Sequence, residues 1–410
     1  MQKKRLDLFL YRIFVYISAF YGFLWLHPFF TWNNSLITFF GGVHALVFLL
    51  WIIAADFKIS KFNMFSAFFA LFLIIMFSFK DEHVIRNLLL YSASLIPLIL
   101  IRNEDRLNIY DKFIKVVALS LLPAIIIAII LLMGVDLQWS PLLSTSWTKP
   151  YYRNYFNLSI YTAYGGVSQQ SFLPWGGSVD RICGMFDEPG VVGTISGLIL
   201  ISKGFSLKRI YEKIIFIAGI FSFSFAFFFM VFLYFLIKNV KYSIPIFVAF
   251  VIMMQTVPQD SYFYSKILHR FEITSDGIQG NNRTNEGFDN LYSDFLKNDN
   301  VLLGIKEEEF LYRAQYYGSE ALSWKTFVVI NGLLLFIFHT LYFLGYTITL
   351  RDKRVWIFCM FYFFSIYQRP YDFSLGYWLI FFGGILTFAN IFTLKVENSV
   401  KNTIKENKFS

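Results

Sequence analysis

The residues best suited to chemistry gather in one stretch, Arg181 to Gly197, reading RICGMFDEPGVVGTISG. It lies where a long aromatic, polar segment re-enters apolar sequence. Arg181, the acidic pair Asp187–Glu188 and the Pro189–Gly190 breaker crowd the mouth of a hydrophobic run. A charge carried toward the centre of a bilayer costs roughly 2.5–3.5 kcal/mol, so charges held at such a place point to a use. An arginine stays protonated, and its planar fork matches phosphate or diphosphate oxygens. Asp187-Glu188-Pro189-Gly190 reads as a helix start, with an acid at the cap and Pro just inside. Glu188 then has two readings. It satisfies orphan amides as a cap, or, partly desolvated, it takes a proton from an incoming hydroxyl as a base of raised pKa.

A second polar segment repeats the cationic chemistry with Arg270, Arg283 and Arg313. Two or three such forks from two segments would grip a lipid diphosphate. The structural alternative is that they bind lipid head groups or pair with acids such as Asp180, Glu272 and Glu309. His269, next to Arg270, is the other candidate base, although a lone His is more often an ordinary loop residue. His339 reads as a span residue with a local hydrogen bond, and Glu307-Glu308-Glu309 as a solvated acidic patch. The aromatics between 135 and 182 include Trp147, Tyr164 and Trp175. They suit either an interfacial belt or sugar stacking, since a ring face is a flat apolar platform with a polar rim. No DxD, HExxH or Cys/His cluster argues for a catalytic metal, and no GxSxG elbow or P-loop is present.

These residues need a scaffold, and composition names its class. Of 410 residues, 57% are hydrophobic, 15% are charged and 52 are Phe; a soluble domain carries about 25% charged residues. Apolar runs of ~15–25 residues recur, each long enough to cross hydrocarbon as a helix. The expectation is an all-α polytopic membrane protein, one membrane domain over 1–410. The net charge of +9 sits in short loops between spans, where it fixes orientation, and implies no nucleic acid. Cys183 and Cys359 build no framework and are expected as thiols. The N-terminal MQKKRLDLFL runs into a span with no small-residue cleavage site, which reads as an uncleaved first helix.

Spans are expected near 9–27, 35–54, 63–79, 88–101, 116–134, 191–202, 242–257, 326–350, 355–367 and 377–394. Residues 135–182 and 258–325 form two large outer loops. Residues 214–237 are apolar but basic on both flanks, with Lys208, Arg209 and Lys213 before and Lys238 and Lys241 after. About 24 residues are too few for two full spans, so a broken hairpin turning at Phe221-Ser222-Phe223-Ser224 keeps both flanks inside; a single tilted span is the simpler alternative. Such a break survives only where protein or a watery cavity satisfies the freed backbone. The count is ten full spans plus one re-entrant hairpin, both termini inside. Lys80 and Arg86 are the exception to the positive-inside pattern.

Taken together, the Phe-rich spans, the two large outer loops, Arg181 followed by F-D-E-P-G, the Phe-Ser-Phe-Ser hairpin and Asn300-Val301-Leu302-Leu303-Gly304 resemble the Wzy-type O-antigen polymerases. Arg181 and Gly197 are sixteen positions apart, like the family's arginine-to-glycine outer-loop pattern. The second loop departs from it, since Arg283 meets Asp299 at that offset and Gly304 comes later. The resemblance implies a GT-C-like glycosyltransferase of the bacterial inner membrane with a periplasmic site and no cofactor. It would move a glycan from undecaprenyl diphosphate onto the next lipid-linked repeat unit, among membrane lipids and with a chain-length regulator as partner. Arg181 and Arg283 would neutralise the leaving diphosphate, Arg270 or Arg313 assisting, and Glu188 would be the base. Direct displacement would invert the anomeric carbon. The rivals are an O-antigen ligase, whose relatives show an outer-loop His (here only His269), and a lipid-linked oligosaccharide flippase, which predicts mid-span charges and an internal repeat.

Overall fold

In an apolar medium a backbone can satisfy its own polar groups as a helix, and the apolar sequence here is helical. The computed structural model describes residues 2–31, 35–55, 57–135, 181–186, 188–239, 241, 243–258, 285–319, 323–368 and 373–406, with short strands between 139 and 180 and at 273–274 and 277–278. The first five helices are α1 (Gln2–Leu24), α2 (Ser35–Ala55), α3 (Lys61–Ser78), α4 (Val84–Leu100) and α5 (Asn103–Leu132). After the first loop come α6 (Pro189–Ser202), α7 (Ile210–Phe221), α8 (Phe225–Lys238) and α9 (Ser243–Thr256). Then follow α10 (Glu286–Asn298), α11 (Glu307–Tyr317), α12 (Trp324–Asn331), α13 (Leu333–Thr349), α14 (Val355–Gln368) and α15 (Leu375–Glu406).

The segments Leu6–Leu24, Ser35–Ala55, Lys61–Ser78 and Asn103–Leu132 are long and apolar enough to cross a membrane. Their outward faces are greasy: Ile53 is 75% exposed and Phe65 70%. A water-soluble monomer rarely shows contiguous apolar surface of that kind, so this is a membrane protein. Shorter apolar helices, among them α6, α8 and α13, complete the bundle. At its centre α15 buries Trp378, Phe381 and Phe382, and Phe343 of α13 meets Phe381 edge-on at 4.5 Å between ring centres.

Contacts sort the helix termini into two ends. At one, Ser374 donates to the Trp25 carbonyl (2.6 Å), and the Phe29 amide donates to the Met185 carbonyl (2.8 Å). This is the loop end. At the other, Asn63 donates to the Leu100 and Ile101 carbonyls, and Tyr110 bonds Ser202 (2.9 Å).

Between α7 and α8 the chain turns at residues 222–224, as the Phe-Ser-Phe-Ser sequence predicts. Arg209, just before α7, pairs with Asp111 of α5 at 2.7 Å, whereas the α7 carbonyl of Phe221 accepts from Ile182 at 3.0 Å at the loop end. Ser224 then lies against Gly193, one turn into α6, and Met230 against Gly197. Phe205, beyond the C-terminus of α6, stacks near Tyr234 and Phe235 of α8. The chain thus enters from the far end, turns at Ser222–Ser224 and returns. A Cβ on Gly193 would sit 2.2 Å from that of Ser224, and one on Gly197 2.5 Å from the Met230 methyl. These glycines let the returning arm lie on α6.

Three expectations are corrected. Residues 103–115, expected as a connector, form the first half of the 30-residue α5, because Arg106 is only 1% exposed. It donates to the Leu98 and Ile99 carbonyls at the end of α4, to Asn103 and to Tyr346 of α13. The two loops carry structure of their own. In the first, β1 (Trp139–Leu143), β2 (Tyr152–Phe156), β3 (Thr162–Tyr164) and β4 (Val167–Ser168) form an antiparallel meander, and β5 (Gln170–Phe172) pairs with β6 (Ser178–Asp180). In the second, α10 and α11 close with α12 over a small core of Phe288, Leu291, Phe295, Phe310 and Val329.

The third correction concerns the span expected at 326–350, which breaks at Gly332 (φ 86°). The break is filled from the second loop. The Leu333 and Leu334 amides donate to the Val301 and Leu302 carbonyls (2.9 and 3.1 Å), and the Ile305 amide donates to Val329 (2.8 Å). Gly304 and Gly332 are what allow this approach. A Cβ on Gly304 would lie 2.5 Å from the Gly332 nitrogen, and one on Gly332 2.3 Å from the Leu302 oxygen. Gly304→Ala or Gly332→Ala is expected to lower stability by more than about 2 kcal/mol, since backbone clash adds to a positive-φ strain of order 1–3 kcal/mol. Gly345→Ala, in open space, serves as the control. Thermal unfolding of the purified protein checks the contrast.

Candidate active site at the loop end

Segment 181–197 is built around the hairpin tip. Arg181 Nε donates to the Ser222 carbonyl (2.9 Å), beside the Ile182–Phe221 backbone bond. The guanidinium therefore sits at the carbonyl end of α7, where a cation is favoured. Ser222 Oγ donates to the Gly219 carbonyl (2.6 Å) and accepts from the Ser224 amide (3.3 Å), while Phe223 takes a left-handed conformation (φ 44°). The Phe-Ser-Phe-Ser sequence thus supplies hydroxyls to a turn that has few partners among apolar neighbours.

Glu188 occupies the N-cap position of α6 in extended backbone, with Pro189 first in the helix. Its side chain makes no capping hydrogen bond to the first turn of α6. It is partly exposed, and so is Arg181. The hairpin tip that Arg181 grips lies against Gly193, in the second turn of the helix that Glu188 opens. Cys183 and Phe186 beneath them are buried, and Phe186 packs edge-on against Phe23 of α1 (6.0 Å between ring centres).

The other expected residues fall out differently. Arg313, on α11, already holds carboxylates: it is bidentate to Asp299 (2.6 and 3.0 Å), with Glu309 at 2.5 Å and Asp294 at 3.4 Å. The Asp299 hydrogen bonds raise its affinity for its proton further. This is the ion-pair alternative, and it ties α10 to α11. Arg270, Arg283, His269, Trp147, Trp175 and Asp187 lie outside the described residues, as does the side chain of Tyr164, whose backbone is in β3. Among the described residues no three His, Cys, Asp or Glu gather where a metal could be held.

A feature the sequence reading missed lies on the far side of the α1 terminus. A cleft of about 260 Å³ is lined by Trp25 and His27 after α1, Phe77, Lys80 and Asp81 around the α3–α4 turn, Glu307, the α12 residues Thr326, Phe327, Ile330 and Asn331, and Phe373 with Ser374 before α15, with Tyr91 of α4. His27, with φ 56°, is two residues from Phe29, whose amide is bound by Met185. The cleft and segment 181–188 therefore share a wall. Burial, reinforced by the Asp81 charge, raises the Glu307 pKa, and burial with the Lys306 charge lowers that of Lys80. The one hint in the sequence was Lys80, which broke the charge pattern of the loops.

No family model, curated protein or solved structure matches this chain. Fold and site define its class on their own terms: a helical membrane protein with a polar, partly enclosed centre at one end of the bundle.

The folded protein holds the Glu307 proton more tightly than the unfolded chain does, so this residue costs stability as pH rises from the ordinary carboxylate range toward its raised value. Glu307→Gln is expected to raise the thermal midpoint at neutral pH, and the gain should vanish near pH 4, about where an unperturbed carboxyl protonates. Melting curves of both proteins across that range test the sign.

Proposed function

We propose that this chain is a membrane glycosyltransferase that joins oligosaccharide repeat units carried on undecaprenyl diphosphate, an O-antigen polymerase of the Wzy type. The observation that supports it most is the arrangement just described: an arginine seated on the tip of a helical hairpin that packs on the helix whose first position follows a partly exposed glutamate. In this reading the crossing helices are α1 to α6, α9 and α13 to α15, ten spans, with α7 and α8 as the hairpin. Both termini lie on the cytoplasmic side of a bacterial inner membrane, the loop end faces the periplasm, and the fold is GT-C-like.

The chemistry follows from charge. Glu188 takes the proton of the acceptor hydroxyl as the oxygen attacks the anomeric carbon of the donor, and the bond to the diphosphate breaks with inversion. Negative charge grows on the leaving diphosphate, and positioned cations lower that barrier most. Arg181 is the first of them, and Arg283 the second. Arg313 serves the second loop's internal structure in this scheme, leaving Arg270 as the assisting cation. Trp147, Tyr164 and Trp175 stack the glycan, and apolar helix faces flank the polyprenyl chain. Buried Arg106 does not favour a flippase, because its donors are taken up by α4 carbonyls and side chains at the far end of the bundle.

A deletion strain is expected to show lipid A-core carrying one repeat unit. The wild-type gene should restore the ladder, and Arg181→Ala or Glu188→Gln, at equal protein level, should not. Normal ladders from both variants would remove these residues from the mechanism. A deletion strain lacking even the single-unit band would move the assignment to ligase or flippase.

A further inference from the structure

The cleft on the other side of the Trp25–Phe29 wall has a chemistry of its own. Its apolar surface is one connected run of rings. Phe77 stacks on Phe373 (4.3 Å between ring centres), meets Tyr91 edge-on (5.2 Å) and lies parallel to Phe327 (6.4 Å), while Tyr91 reaches Trp25 (5.3 Å). Its polar surface mixes signs: Lys80 donates, and Asp81 and Glu307 accept. Thr326 lines the same space, is only 9% exposed, and its Oγ1 has no hydrogen-bond partner. A buried hydroxyl without a partner costs about 1–3 kcal/mol, so its place in a cleft wall points to a partner that arrives from outside.

The lining selects the ligand. Two carboxylates beside one lysine disfavour a phosphate or other anion, and Lys80, with Lys306 near it, disfavours a simple cation. A flat aromatic wall with donors and acceptors at its edge is what a polyhydroxylated ring requires, because such a ring has an apolar face and a polar rim. The volume of about 260 Å³ falls just under the ~300–1,000 Å³ typical of small-molecule sites, which suits a single ring.

We infer that this cleft binds one uncharged pyranose ring, its face on the Phe77–Phe373 wall and its hydroxyls shared among Asp81, Glu307, Lys80 and Thr326. As the seat of the acceptor sugar the inference rests on the proposed transfer reaction; as a saccharide site it stands without it.

The test is direct binding to the purified full-length protein in lipid nanodiscs. The probes are the methyl glycosides of glucose, galactose, rhamnose and N-acetylglucosamine, with glucosamine and inorganic pyrophosphate as charged controls. At least one neutral glycoside should bind saturably. Thr326→Val and Asp81→Asn, each with an unchanged melting temperature, should weaken it at least fivefold, and Gly345→Ala, in open space away from the cleft lining, should leave it unchanged. No saturable binding of any neutral glycoside, binding indifferent to both cleft substitutions, or preference for either charged control would overturn the assignment. Ladders made normally by Arg181→Ala and Glu188→Gln, alongside glycoside binding that Thr326→Val removes, would support the cleft while ending the transfer mechanism.

Discussion

A helix that stops inside an apolar bundle leaves amides and carbonyls that water cannot reach, and each must find a partner. Two such stops shape this protein. At Ser222–Ser224 the freed carbonyls are met by Arg181 and the Ile182 amide. At Gly332 the freed groups are met by Val301, Leu302 and Ile305. In each case the partner is a segment where a large loop returns to the bundle. The same bonds that keep the broken helices viable therefore fix where Arg181 and residues 301–305 stand.

This coupling ties position to stability. Arg181 cannot be moved without releasing the hairpin tip, and the tip lies on α6 beside the helix start that carries Glu188. The second loop is anchored likewise: Gly304 and Gly332 seat residues 301–305, and the cap formed by α10, α11 and α12 places Glu307 and Thr326 over the α3–α4 turn. A mixed aromatic and ionic cleft results from four separate parts of the chain, with the Trp25–Phe29 connection as the wall shared with segment 181–188.

Three arginines show how one side chain takes different roles by its surroundings. Arg106 is buried and donates to carbonyls and side chains, closing the end of α4. Arg313 is half enclosed among three carboxylates and braces a small helical cap. Arg181 is partly exposed and sits on a helix terminus at the lip of the bundle. Their chemistry is identical, and the surroundings alone set them apart: carbonyls for Arg106, carboxylates for Arg313, a helix C-terminus for Arg181.

What could be read from the chain alone was whatever depends on neighbours in sequence. Runs of Phe, Leu and Ile declared the helices, matching basic flanks declared a hairpin between 208 and 241, and Asp-Glu-Pro-Gly declared the start of α6. The break at Gly332 gave no such signal, since a glycine in an apolar run is ordinary until Gly304 is brought against it. The aromatic wall stayed hidden because Trp25, Phe77, Phe327 and Phe373 each look like the end of a separate span. Hydropathy and helix signals are local sums, so sequence determines them. The partner of a charge or a freed backbone group is chosen across the bundle, and that choice belongs to the tertiary structure.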